Sequence, residues 1–162
     1  IFFKFLLIFF LYNILISNVF LGDTGSYFLG FLISTSSLFF YNQNIISAGF
    51  FACILSYPCL EIIFSITRRL RIKQNPFKPD NKHLHNLIFI YLKNLFPTLK
   101  YINSLTGLLV NLLFVLPSLL FYIYSNQLIN IYYWYIFMIH ILIYILIYSF
   151  TLSKNNEHIV SK

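Results

Sequence analysis

Residues 129–150 read INIYYWYIFMIHILIYILIYSF, twenty-two residues without one Asp, Glu, Lys or Arg. An α-helix needs about 20 apolar residues to cross a hydrocarbon core of roughly 30 Å, so this stretch predicts a membrane span. Near its start, Tyr132, Tyr133, Trp134 and Tyr135 have the composition of an interfacial aromatic belt. Four more apolar runs lie upstream: 104–125, with Pro117 inside as an expected kink, then 45–66, 24–41 and 1–16. The runs are continuous and too long for the alternating strands of a transmembrane barrel. The expected fold class is all-α, a polytopic transmembrane helix bundle of about five spans. Residues 1–162 then form a single integral membrane domain.

Composition agrees. Of 162 residues, 59% are hydrophobic and 9% charged, with 20 Phe and 13 Tyr. Mean hydropathy is +0.79. A soluble globule of this size cannot hide so much apolar surface, and a disordered chain would not carry it. Two cysteines exclude a disulfide scaffold. Cys53 and Cys59 are six apart on different helix faces and support neither a bridge nor a metal. The chain opens on Ile1 inside an apolar run with no convincing signal peptide. It is expected to be the C-terminal part of something longer.

Charge sets the orientation. Eight of the eleven cations fall in one stretch, Arg68, Arg69, Arg71, Lys73, Lys78, Lys82, Lys93 and Lys100, against the single acid Asp80. In a soluble domain this would suggest nucleic acid. Between apolar spans it suggests a cytoplasmic loop, about 67–103, and then an anionic ligand. No nucleic-acid partner is expected. The connections 42–44 and 125–127 are uncharged and should face outward. Counting crossings puts Asp23 and the C-terminal tail inside.

Three places can carry chemistry. In Gly22-Asp23-Thr24-Gly25-Ser26 an acid between glycines opens an apolar helix. Asp23 and Ser26 could simply cap the helix through its free amides. The same amides and glycines could admit a phosphate, with Asp23 holding Mg²⁺ against it. Glu61 lies inside the third run, where an ionisable group is a functional candidate by default. Its bland alternative is a contact with Arg68, seven residues on along the same helix face. The third place runs from Asn75 through Pro76, Pro79, Asp80, His83 and His85 to Asn86. In an extended segment His83 and His85 share one side. Two histidines among many cations suit phosphate better than structural zinc. For charge alone, an ordinary solvated loop is the simpler reading. His140, alone in the last run, reads as a packing residue.

These residues together resemble a known family. Phe20-Leu21-Gly22-Asp23-Thr24-Gly25-Ser26 with Leu29-Gly30 is similar to a signature of the polyprenyl-phosphate N-acetylhexosamine-1-phosphate transferases of the WecA/MraY type, glycosyltransferase family 4. Pro58-Cys59-Leu60-Glu61, Arg68-Arg69, Asn75-Pro76-Phe77 and Pro79-Asp80 followed by His83-Leu84-His85 resemble its WecA-like branch. The resemblance implies transfer of a HexNAc-1-phosphate from a UDP-sugar to undecaprenyl (polyprenyl) phosphate, releasing UMP. The setting would be cell-envelope polysaccharide synthesis, with Mg²⁺, at the cytoplasmic face of the inner (plasma) membrane. Asp23, His83 and His85 would be catalytic, with Asp23 the metal ligand. Gly22, Gly25, Ser26, Arg68, Arg69, Arg71, Asp80 and Asn86 would bind substrate. A homodimer is among the assemblies left open.

Two positions depart from the family: Glu61 where Asp is usual, and Asn86 where a third His is usual. The family's paired aspartates lie N-terminal to anything here, and no Asp-Asp occurs in the chain. The resemblance therefore implies a fragment inactive by itself. The competing class is a non-catalytic membrane protein, either a degenerate remnant or a transporter or flippase subunit with a basic loop.

The charge asymmetry predicts that a Lys82→Cys variant in intact cells resists an impermeant maleimide until the membrane is opened. Labelling from outside would reverse the topology.

Overall fold

A computed structural model describes residues 4, 7–12, 22–75, 81–124 and 130–160, without the side chains of 130 and 157–160. Most of the first expected span, Asp80 and the 125–127 connection lie outside the described residues. Beyond the short helical stretch 7–12, seven helices follow: α1 Gly22–Asn42, α2 Ala48–Ile54, α3 Ser56–Arg71, α4 Leu84–Leu95, α5 Ile102–Phe114, α6 Leu116–Tyr124 and α7 Asn130–Val160. The all-α reading holds.

The first of the five expected spans lies mostly outside the described residues, and the other four fall on helices. Two helices are long and apolar enough to cross a membrane, Ile102–Tyr124 and Ile131–Asn156; α2 and α3 make a third if their bent pair is one span. Helix α1 has the length of a span, 21 residues, but not the apolarity. Ser26, Ser34, Thr35, Ser36 and Ser37 dilute it. Several of these hydroxyls fold back onto carbonyls one turn earlier, as Ser34 onto Gly30 at 2.7 Å and Ser37 onto Ile33 at 2.7 Å.

Proline explains both breaks in the spans. A proline ring clashes with the carbonyl four residues back. For Pro58 that residue is Ile54, the last of α2, and the chain turns by 65° between α2 and α3. For Pro117 it is Leu113, and α5 ends one residue later. The ladder resumes beyond each break, with Cys59 N–H on Leu55 O at 3.2 Å and Leu119 N–H on Val115 O at 3.1 Å.

The stretch 67–103, expected as a loop, is helical over about half its length among the described residues. Helix α3 runs on through the arginines to Arg71, and α4 fills 84–95. Leu84, Leu87, Ile88 and Leu92 recur at helical spacing and are buried, so α4 packs by an apolar stripe. Its Leu84, Ile88 and Leu92 join Leu60, Ile102, Val110, Phe114 and Tyr144 in the main core. A second cluster, Phe50, Cys53 and Tyr133, ties α2 to the start of α7. There the Cys53 thiol donates to Tyr133 O at 2.9 Å.

Helix α7 continues ten residues past the expected end of its span, at 150. Its 31 residues reach about 46 Å at roughly 1.5 Å per residue, more than a hydrocarbon core needs. The surplus braces α4: the Asn155 amide donates to Leu87 O at 3.0 Å. The basic segment and the C-terminal end of α7 thus share one end of the bundle, as the charge reading required. His140 is the packing residue expected of it, 1% exposed, with Nδ1 2.9 Å from Ser56 Oγ and its ring edge-on to Phe114.

Phe114 is fully buried, with ring centroids 5.3 Å from Tyr57 and 5.4 Å from His140. Phe114→Ala should cost about 3–5 kcal/mol. Leu120→Ala, on an exposed face, should change little. Denaturant titration of the folded fraction in mild detergent checks the difference.

Candidate functional site

Glu61 lies one turn after Tyr57 on α3 and is 8% exposed. A carboxylate taken out of water costs several kcal/mol unless donors replace the water. Three donors do so. Oε1 accepts the Leu84 backbone N–H at 2.7 Å and the Tyr57 hydroxyl at 2.8 Å, while Oε2 stands 2.9 Å from His83 Nδ1. The Leu84 amide is one of the N–H groups that α4 leaves unbonded at its start. Glu61 therefore caps α4 from a different helix, and its negative charge meets the positive end of the α4 dipole.

His83 occupies the N-cap position of α4 in an extended conformation, with φ −72° and ψ 150°. Its ring makes no capping bond and is turned to Glu61 instead. His85 stands in the first turn of α4, so the two histidines are not both in an extended segment as expected. They still share a side: the rings stack at 5.7 Å and 8°. His85 Nδ1 lies 3.3 Å from the Tyr57 hydroxyl and 3.9 Å from Glu61 Oε1.

Proton counting then assigns both tautomers. A carboxylate only accepts, so His83 must donate from Nδ1. Tyr57 gives its single proton to Glu61, so it accepts from His85 Nδ1. Both imidazoles therefore carry hydrogen on Nδ1 and keep Nε2 on the side away from Glu61. A carboxylate behind the imidazoles, meeting Nδ1, fixes their tautomer and leaves Nε2 for a ligand. The His85 side chain is 52% exposed and that of His83 30%, so both can be reached.

The arginines frame the segment before the histidines. Arg68 donates to Lys82 O at 2.7 Å and to the Tyr148 hydroxyl. Arg69, 5% exposed, donates to Asn75 O at 3.1 Å. The two guanidiniums thus grip the chain on either side of residues 76–80. They were expected to bind substrate; their described contacts are with this chain. Arg71 is exposed at the end of α3. Asn86 lines an open cleft of about 690 Å³ between α4 and α5, with His85 at its edge.

The glycine-flanked acid stands apart. Helix α1 starts at Gly22, whose φ of +70° suits glycine, so Asp23 falls inside the first turn and not at a cap. Ser26 does not bind a free amide as expected; its hydroxyl donates back to Gly22 O at 2.8 Å. Gly25 lies in the same turn. No residue of α1 is buried, and among the described residues no polar contact joins Asp23 to His83 or His85. Asp80 lies outside the described residues. Glu61 organises the site but was absent from the expected site set. Its signal was an acid at membrane depth.

No protein-family model matches the chain, and no solved structure does. Curated proteins do. The undecaprenyl-phosphate alpha-N-acetylglucosaminyl 1-phosphate transferase of Thermotoga maritima is 42% identical over 76 residues, 47% of this chain and 25% of that protein. Proteins of the same name from Yersinia pestis and Escherichia coli K12 are 35% identical over 77 residues and 34% over 76, each over 44% of this chain and 20% of theirs. The chain spans a fifth to a quarter of the length of these relatives. Over the matched segment the chain is similar to these transferases, in line with the resemblance carried by its motifs.

Glu61→Gln keeps an acceptor for Leu84 N–H but can turn an amide N–H toward His83. His83 should then move its proton from Nδ1 to Nε2, visible in the ¹⁵N shifts of histidine-labelled protein. Glu61→Ala strands three donors and should cost about 2 kcal/mol or more. An unchanged His83 tautomer in Glu61→Gln would remove the carboxylate from its ordering role.

Proposed function

We propose that this chain supplies the histidine-bearing part of a membrane phosphotransferase that moves a HexNAc-1-phosphate from a UDP-sugar to a polyprenyl phosphate and releases UMP. The reaction would run at the cytoplasmic face of the inner membrane. The observation that carries the reading is the stacked His83–His85 pair, both rings held through Nδ1 and both Nε2 atoms presented outward. The names of the relatives support it. The lipid phosphate oxygen would attack the sugar-linked phosphorus. The bond from that phosphorus to the bridging oxygen breaks, and UMP leaves with the electron pair.

In such a step two polyanions must approach, and charge shifts to the leaving phosphate. His83 and His85, donating from Nε2 when protonated, would bind the diphosphate oxygens and gain strength as charge builds there. Glu61 and Tyr57 are positioning residues: they fix the orientation of the two rings. Arg68 and Arg69 tie Lys82 and Asn75 to the end of α3.

Magnesium, expected from the resemblance, finds no complete donor set here. Among the described residues no three His, Cys, Asp or Glu side chains gather as a metal site. Both Glu61 oxygens are engaged, and Asp23 offers one exposed carboxylate. The described residues do not by themselves build a magnesium centre, and the steps above use only this chain's own groups. Asp23 is proposed as the acid nearest the substrate phosphates in the assembled enzyme.

UMP release by the intact gene product in membranes tests the proposal. His85→Ala should lower kcat by about 10²–10³-fold, the loss typical of one oxyanion donor, with normal membrane insertion. Asp23→Asn should do likewise, whereas a simple helix-start residue would tolerate the change because Asn and Asp serve equally there. Full activity in both variants would remove His85 and Asp23 from the site, and no release from any UDP-HexNAc would favour a non-catalytic membrane protein.

A further inference from the structure

The cleft between α4 and α5 has a lining that its position does not explain. Helix α5 belongs to an apolar span, yet it turns Asn103, Gly107 and Asn111 toward the cleft. These lie four residues apart, so they form one stripe with a rise of about 6 Å per step. Amides on a membrane helix are costly unless something polar meets them. The Asn111 amide nitrogen donates to Gly107 O at 2.9 Å, which leaves its oxygen as an acceptor. Facing the stripe are Asn86 and the ring of Phe89, with His85 and Tyr57 at the mouth. The volume of about 690 Å³ falls in the range of small-ligand sites, roughly 300–1,000 Å³.

Charge and polarity decide between occupants. Among the described residues lining the cleft there is no Lys, Arg, Asp or Glu, so a phosphate would find no counter-charge beyond His85. A hydrocarbon tail would leave three amides facing apolar matter. A neutral ring bearing hydroxyl and amide groups on its rim and C–H groups on its faces fits both features. The amides meet the rim, and Phe89 covers a face.

We propose that the α4–α5 cleft is the saccharide subsite, receiving the N-acetylhexosamine ring of the donor, with Asn103 and Asn111 as its specificity-determining residues. This rests on the reading above, in which the diphosphate lies on His83 and His85; the sugar is the group attached next to it. Gly107 keeps the floor of the subsite open. A Cβ added there meets nothing within 4 Å, so a larger residue can fill the cleft without disturbing the packing.

Gly107→Leu and Asn111→Ala in the intact gene product should raise KM for the UDP-sugar at least tenfold. The inhibition constant of UMP, which has no sugar, should move less than twofold. An unchanged KM, or equal weakening of UMP, overturns the proposal. A second measurement needs no turnover. In a Cys59→Ser background, which removes the exposed native thiol, maleimide modification of Gly107→Cys is timed with UMP or with methyl N-acetylglucosaminide. Protection by the glycoside and not by UMP is expected, and it would stand even if the wild type released no UMP. No protection by the glycoside overturns the subsite. A loss of self-association in Gly107→Leu without such protection would assign the cleft to a second helix.

Discussion

The acceptance of the Leu84 amide by the Glu61 carboxylate, at 2.7 Å, is the contact on which the polar end of this bundle depends. It joins α3 to the first residue of α4 and so fixes where α4 begins. Once that start is fixed, His83 falls at the N-cap and His85 in the first turn, and both reach back to the same carboxylate and its neighbour Tyr57. The apolar stripe of α4 then meets α5 and α7, and Asn155 closes the far side through Leu87 O. Each partner is cheap to hold once the others are in place, because an ionised acceptor at a helix start replaces water with three donors at once. Removing the acid would strand them all.

The arginines extend the same logic. A buried guanidinium is tolerable only when its donors are met. Backbone carbonyls meet the buried Arg69 and the half-buried Arg68 here, Asn75 O and Lys82 O respectively. Asn75 and Lys82 are thereby tied to the end of α3.

Much of this was legible in the residues. The length and apolarity of 129–150 gave the last helix, and Pro117 gave the break before it. The Pro-Asp-x-x-His-x-His order gave the paired imidazoles. Helix α1 fills the expected 24–41 run, though clustered Ser and Thr leave it less apolar than the last two spans. What failed has physical reasons. Positive charge suggested a loop over 67–103, yet charge says nothing of period, and Leu84, Leu87, Ile88 and Leu92 mark a buried helix within it. Pro58 was read as part of a motif and not as the 65° bend it makes. Glu61 was visible, but its partners lie 22 and 23 residues away, and no helix-face rule reaches that far.

Glu61 also explains a departure from the family pattern in terms of reach. Where Asp is usual, this chain has a side chain longer by one methylene. Here that carboxylate touches a backbone amide, a hydroxyl and an imidazole together, all within 2.9 Å. An Asp on the same α3 backbone would fall short of at least one of them unless the two helices closed by about the length of a C–C bond, roughly 1.5 Å. Asn86, where a third imidazole is usual, lies on α4 and faces the cleft. An amide there adds hydrogen-bonding capacity without adding charge. His83 and His85 thus stand as the imidazoles at this end of α4, and Asn86 brings an uncharged amide to the cleft beside them.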